Sequence, residues 1–181
     1  MKYLTAMIRR INSWVYCVIT KILHPRRFFF KHGALISLSA RLSMRDKGVM
    51  CLGRKVGIRR NTELSVSENG KLEIGDKCFF NSDIQIACHN KIVIGEGCRF
   101  GPGTKIFDHD YDYMEFESGK HLSTPIKIGN NVWVGANVVI LRGTEIGDDC
   151  VIAAGTVLKG QYPENSLIVQ KRETQVKLIS R

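Results

Sequence analysis

Residues 124–160 read TPIKIGNNVWVGANVVILRGTEIGDDCVIAAGTVLKG, and their spacing decides the fold. Every sixth residue is aliphatic: Ile128, Val134, Ile140, Ile146, Ile152 and Leu158. The next residue is often Gly or Ala, as at Gly129, Gly135, Gly147 and Ala153. Four residues after the aliphatic stands a second candidate for burial: Val132, Val138, Thr144, Cys150 and Thr156. A period of six fits neither the 3.6 of a helix nor the alternation of a hairpin meander. It fits a parallel β-helix, in which a hexad is one short strand plus a turn and three hexads close a triangular coil.

The beat continues upstream with short resets. It runs through Leu52, Ile58 and Leu64, then Ile74, Phe80 and Ile86, then Ile94, Phe100 and Ile106. Fifteen positions make about five coils, each burying its aliphatics against its neighbours. Cys78, Cys98 and Cys150 occupy the small second position, so they read as inward packers rather than as ligands or disulfide partners. The beat stops after Ile106. IFDHDYDYM (106–114) presents a histidine among three aspartates and two tyrosines, and residues 107–125 read as a loop leaving the prism. Loops of this length in a compact domain are usually functional.

The segment 124–160 resembles the hexapeptide-repeat acyltransferases nearly residue by residue, nearest to the maltose, galactoside and polysaccharide O-acetyltransferases. The likeness covers about Leu52 to Ile168. It implies an all-β fold, a left-handed parallel β-helix of about five coils with a protruding loop. It also implies acetyl-CoA as co-substrate, a saccharide acceptor, no metal, and a homotrimer with sites between subunits. The family's catalytic histidine stands one coil before the tryptophan of NNVW, which places the role on His109 with Trp133 downstream.

The chemistry suits that residue type. A hydroxyl becomes a competent nucleophile when a base takes its proton during attack, and imidazole titrates near neutrality. The oxygen attacks the thioester carbonyl, an oxyanion forms, and backbone N–H groups near Gly135 or Ala136 are its expected donors. Asp108, Asp110 or Asp112 could orient the other ring nitrogen of His109, as could a backbone carbonyl. The resemblance further assigns Asn81, His89 and Trp133 to the acceptor, with His89 standing where relatives often carry an acid. It assigns Gly135, Ala136, Ala154, Gly155 and Lys159 to the CoA side. The family's closing glycine and Pro-Ala pair is missing from IVQKRETQVKLI (168–179), so Lys171, Arg172 and Lys177 become the candidates for the adenine end.

Residues 1–50 fall outside the resemblance and read as a basic, helical N-terminal segment, with the β-helix at 51–168 and a C-terminal extension at 169–181. Leu4, Ile8, Ile11, Val15, Val18 and Ile22 lie at helical spacing, and Pro25 disfavours helix at His24. The apolar run Trp14–Thr20 falls short of the ~20 residues that span a bilayer. Such an amphipathic helix packs on protein or lies in a membrane interface, contacting anionic lipid through residues 1–30 with Trp14 and Phe28 to Phe30 inserting. The net charge is +10 overall, but residues 1–60 carry about +13 and residues 61–181 about −3. The basic third suits an anionic neighbour, with anionic lipid ahead of nucleic acid because no recognition motif is present.

No cleavable leader is visible and no CxxC pair occurs, so a cytoplasmic protein with reduced thiols is expected, peripheral at the inner membrane face if the helix meets lipid. Three other functions compete: acyl transfer to an amino sugar, amino acid or antibiotic; a trimeric scaffold without catalysis; and a zinc site of the carbonic-anhydrase type. The last needs three converging histidines. His24 and His32 precede the coils and His121 sits in the loop, so no metal site is expected.

Overall fold

The computed structural model describes residues 2–112, 114 and 121–171. One α-helix, α1 (Lys2–Leu23), precedes a series of short strands that wind into a parallel β-helix. The three faces of the prism are parallel sheets. Face one runs from Phe28–Phe30 to Gln161–Tyr162 and face two from Leu35–Ile36 to Leu167–Ile168, each of seven strands. Face three runs from Arg41–Met44 to Val157–Leu158 in six. The described residues therefore make six complete coils and two sides of a seventh, where the sequence pattern counts about five.

The additional coil begins at Phe28, inside the segment that the sequence reading sets apart as helical. Its strands pair in register with the next coil, Phe28 on Met50 and Ile36 on Ile58. Its Phe30, Ile36 and Leu42 keep the six-residue beat and pair with Leu52, Ile58 and Leu64, so the sequence count stops one coil short at the ten-residue step from Leu42 to Leu52. Met50 pairs with Leu72, twenty-two residues on. Lys127 pairs with Glu145, eighteen residues on, and Glu145 with Gln161, sixteen on. Four-residue strands lengthen the early coils, and the six-residue beat runs unbroken from coil to coil only downstream.

All fifteen hexad residues are buried, as are Val56, Thr62, Ile84, Cys98, Thr104 and the rest of the second series. Burying each aliphatic is worth ~1.5–3 kcal/mol. Phe80 and Phe100 stack inside the prism at 4.8 Å. The buried threonines satisfy their hydroxyls locally: Thr104 Oγ1 donates to the Gly101 carbonyl (2.8 Å) and Thr156 Oγ1 to that of Ala153 (2.7 Å). Cys78 and Cys98 bond the carbonyls of Gly95 and Gly129, each at 3.0 Å, as small packing residues do. At the corner between faces one and two the backbones of successive coils nearly touch. A Cβ on Gly95 would meet the Gly129 carbonyl oxygen at 2.5 Å, so no larger residue fits there.

The helix α1 covers the first coil. Ser13 Oγ of α1 donates to the Ile36 carbonyl (3.0 Å) and accepts from the Ile36 N–H (2.9 Å). Tyr16 Oη donates to the Ala40 carbonyl at 3.1 Å. At the other end the Gln170 amide bonds both the N–H and the C=O of Val157, standing in for one rung of a strand.

Candidate functional site

The corner between faces three and one carries the chemistry. Successive coils turn there at Glu68, at His89–Asn90 and at the loop that leaves after Phe107 and returns at Ile126. The loop folds back as an antiparallel hairpin, with His109 paired to Ser123 and Tyr111 to His121.

Alternation explains Asp108. Ile106 points inward, Phe107 sideways and Asp108 inward again, so a carboxylate is driven into the wall and is 0% exposed. Its oxygens accept the N–H groups of His89 (2.9 Å) and Asn90 (2.8 Å) and contact His109 Nδ1 at 3.0 Å. Burial pushes the carboxyl up, but bonds from His109, from those two N–H groups and from Cys88 hold it below the usual carboxylate range. An ionised Asp108 accepts only, so the ring proton of His109 sits on Nδ1 and the Nε2 lone pair is left for other work. Of the three loop acids, Asp108 is the one that orients His109. Asp110 instead pairs with Arg142 Nε at 2.8 Å, and Asp112 accepts the Met114 N–H within the loop.

The His109 ring stacks on His89 with centroids 3.5 Å apart, and the His121 ring stands edge-on to both. Three histidines therefore converge in one chain, contrary to expectation, because the hairpin returns His121 to the corner where His89 lies. Burial, then the charges of His109 and His121, lower the pKa of His89 against the opposing pull of Glu68. Glu68 Oε1 lies 3.2 Å from His89 Nδ1 and 3.4 Å from His121 Nδ1. Glu68, His121, Asn90 and Arg142 escape sequence reasoning. Only their shared corner marks them, and that corner is visible once the coil advance is known.

The remaining candidates lie elsewhere on the prism. Asn81, Gly135, Ala136, Ala154 and Gly155 sit at the corner after face two, where a Cβ on Gly135 would meet the Ala154 nitrogen at 2.6 Å. Asn81 uses its side-chain oxygen to accept the Ser82 N–H. The Gly135 N–H is committed to the Ile152 carbonyl (2.9 Å), so of the two expected oxyanion donors only Ala136 remains a candidate. Trp133 stands on face two, 61% exposed. Lys159 and Lys171 are exposed near the C-terminal end, and Arg172 and Lys177 lie outside the described residues.

The bacterial transferase hexapeptide family (six repeats) matches residues 125–160, the stretch whose coils flank this corner. The chain carries a hexapeptide-repeat domain. Among similar proteins, the galactoside O-acetyltransferase of Escherichia coli strain K12 is 28% identical over 138 residues, covering 75% of this chain and 67% of that protein. WbbJ of the same strain, whose name places it in lipopolysaccharide biosynthesis as an O-acetyl transferase, is 29% identical over 50% of this chain and 55% of its own length. Alignments with the first curated relatives thus span between about 30% and 67% of their lengths. In architecture the hexapeptide-repeat chain is similar to AntD, an N-acyltransferase from Bacillus cereus (TM-score 0.66, 18% identity, 85% of this chain and 89% of that one). It is also similar to a galactoside acetyltransferase solved with coenzyme A (TM-score 0.54, 22% identity, 87% and 74%). At such identities these structures speak to the fold alone.

Proposed function

We propose that this protein transfers acetyl from acetyl-CoA to a sugar hydroxyl, in building a surface polysaccharide such as capsule, exopolysaccharide or lipopolysaccharide. The observation that carries the reading is the pairing of buried Asp108 with half-buried His109, which commits Nδ1 and presents Nε2 as a base. The names of the relatives support the choice of a sugar acceptor. Nε2 takes the hydroxyl proton as the oxygen attacks the acetyl carbonyl. The Ala136 N–H is the candidate donor to the oxyanion. Collapse releases the CoA thiolate, to which the imidazolium can return the proton.

One chain does not assemble this site. The base lies at the corner after face three, while Asn81 and the small residues proposed to follow the pantetheine arm lie at the corner after face two. A neighbouring copy that brings these corners together completes it, which supports a homotrimer with sites between subunits. Trp133 and His89 then face the acceptor, and Lys159 and Lys171 meet the phosphates of CoA.

The test follows CoA by chromatography, with acetyl-CoA and a panel of mono-, oligo- and polysaccharides that includes amino sugars. Acceptor-dependent release is expected to fall by about 10²–10⁴-fold in His109→Ala. Equal release by both proteins removes His109 as the base, and release only with amino acceptors reassigns the reaction to N-acylation. Sedimentation of the same samples reads the oligomer.

We propose further that α1 lies on anionic lipid, which places the enzyme at the inner membrane face near a lipid-linked acceptor. None of the described helices is long and apolar enough to cross a membrane. The support is the outward face of α1, where Leu4, Ile8, Ile11, Trp14, Ile19 and Ile22 are exposed beside Arg9 and Arg10. Flotation with anionic but not neutral liposomes is expected, and its absence rejects this placement.

A further inference from the structure

We propose that Glu68, His89 and His121 hold a transition-metal cation of the zinc class, bound through Glu68 Oε1 and the two Nδ1 atoms. Each of the three residues offers a ligand atom within 4.8 Å of the other two, and Glu68 Oε1 lies 3.2 Å from His89 Nδ1 and 3.4 Å from His121 Nδ1. Nitrogen and oxygen ligands placed ~2.0–2.1 Å from a tetrahedral zinc stand about 3.3–3.4 Å apart, so the Glu68 oxygen already sits at coordination spacing from both nitrogens.

A second observation points the same way. His89 Nδ1 is buried and makes no hydrogen bond, since the Glu68 oxygen 3.2 Å away is not aligned to accept one. A buried imidazole nitrogen without a partner is costly, and a cation between it and Glu68 would satisfy it. His109 is not part of the set, because its Nδ1 is committed to Asp108.

The donors come from three separate segments. Glu68 stands in the turn after Glu63–Val66, His89 one coil further along the same corner, and His121 on the returning strand of the hairpin. The cation is thus a clamp that ties the hairpin to the wall beside His109, with the fourth vertex left to water. It takes no direct part in the acyl transfer proposed above, in which a metal-bound His89 keeps only its Nε2 side for the acceptor. The inference does not depend on that transfer, because binding is measured without acyl donor or acceptor.

The experiment titrates the metal-stripped, full-length protein with Zn²⁺ by calorimetry and with Co²⁺ as a spectroscopic reporter. One cation per chain, the visible bands of tetrahedral cobalt, and a rise in Tm with Zn²⁺ are expected. Glu68→Gln and His121→Asn should each weaken binding at least tenfold and lose the Tm shift while keeping the wild-type circular dichroism. His32→Ala, at an exposed histidine elsewhere, should change nothing. Absence of stoichiometric binding, equal affinity in the Glu68 and His121 variants, or a thiolate charge-transfer band indicating cysteine ligands would each overturn the assignment.

Discussion

In the coils, Ile106, Ile140 and Ile152 point into the prism and are at most 1% exposed, whereas in α1 Ile8, Ile11 and Ile19 are 46–52% exposed. The helix buries Ser13, Cys17 and Thr20 instead. The same residue types thus do opposite things in two parts of one chain. The prism is held by apolar burial. The helix is held by a narrow strip of small side chains and by hydrogen bonds from Ser13 and Tyr16 to the edge of the first coil. A helix that needs so little of its apolar surface for its own packing keeps the rest for another partner.

Four changes sharpen or break this contrast. The largest effect is expected from Ile140→Ala, which opens a cavity between coils and should cost ~2–5 kcal/mol by denaturant unfolding. Ser13→Ala leaves the N–H and C=O of Ile36 without a partner and should cost ~1–3 kcal/mol; a loss near that of Ile140→Ala would mean that the helix contact matters as much as the core. Acid should separate the two regions next. The Arg54 backbone N–H, with help from its side chain, lowers the pKa of Asp76, and the Asn130 N–H does the same for Asp148. A carboxyl lowered on folding stabilises above its unfolded value of ~3.9, and that stability is lost as pH falls through the folded value. Tm should therefore drop in that range, with a shallower slope in Asp76→Asn, while α1, which has no acidic residue, adds nothing to the slope. The smallest effect on stability, within ~0.5 kcal/mol, belongs to Ile11→Glu on the outer face. The same variant should abolish liposome flotation, and unchanged flotation would leave the outer face without its proposed role.

Most of the fold is legible in residues 126–158 because three hexads make one coil there and every sixth side chain meets the same interior. The first coil is harder to read: Phe30, Ile36 and Leu42 keep the six-residue beat, in register with Leu52, Ile58 and Leu64, but a ten-residue step separates Leu42 from Leu52 and hides the continuity. His109 is legible as the residue that interrupts the beat. Its orienting acid is legible in principle, because Asp108 is where inward alternation from Ile106 lands, although sequence alone leaves three acids open. The convergence of His89 and His121 is hidden, since it depends on a coil advance and a hairpin register that no local pattern encodes. The charge imbalance locates the basic third correctly but cannot say that half of that stretch belongs to the prism.

The eighteen-residue advance from Lys127 to Glu145 makes that coil one graduation of a ruler whose rungs are evenly spaced in height. Residues 127–144 are one whole division, and each division lifts the chain by about 4.8 Å. Duplicating them would carry the C-terminal lysines one graduation away from His109 while leaving the hairpin corner, the helical cap and the Gln170 rung as they are. A long, linear ligand lying along the prism is thus measured in whole rungs, and its fit depends on how many rungs separate the two ends of its track.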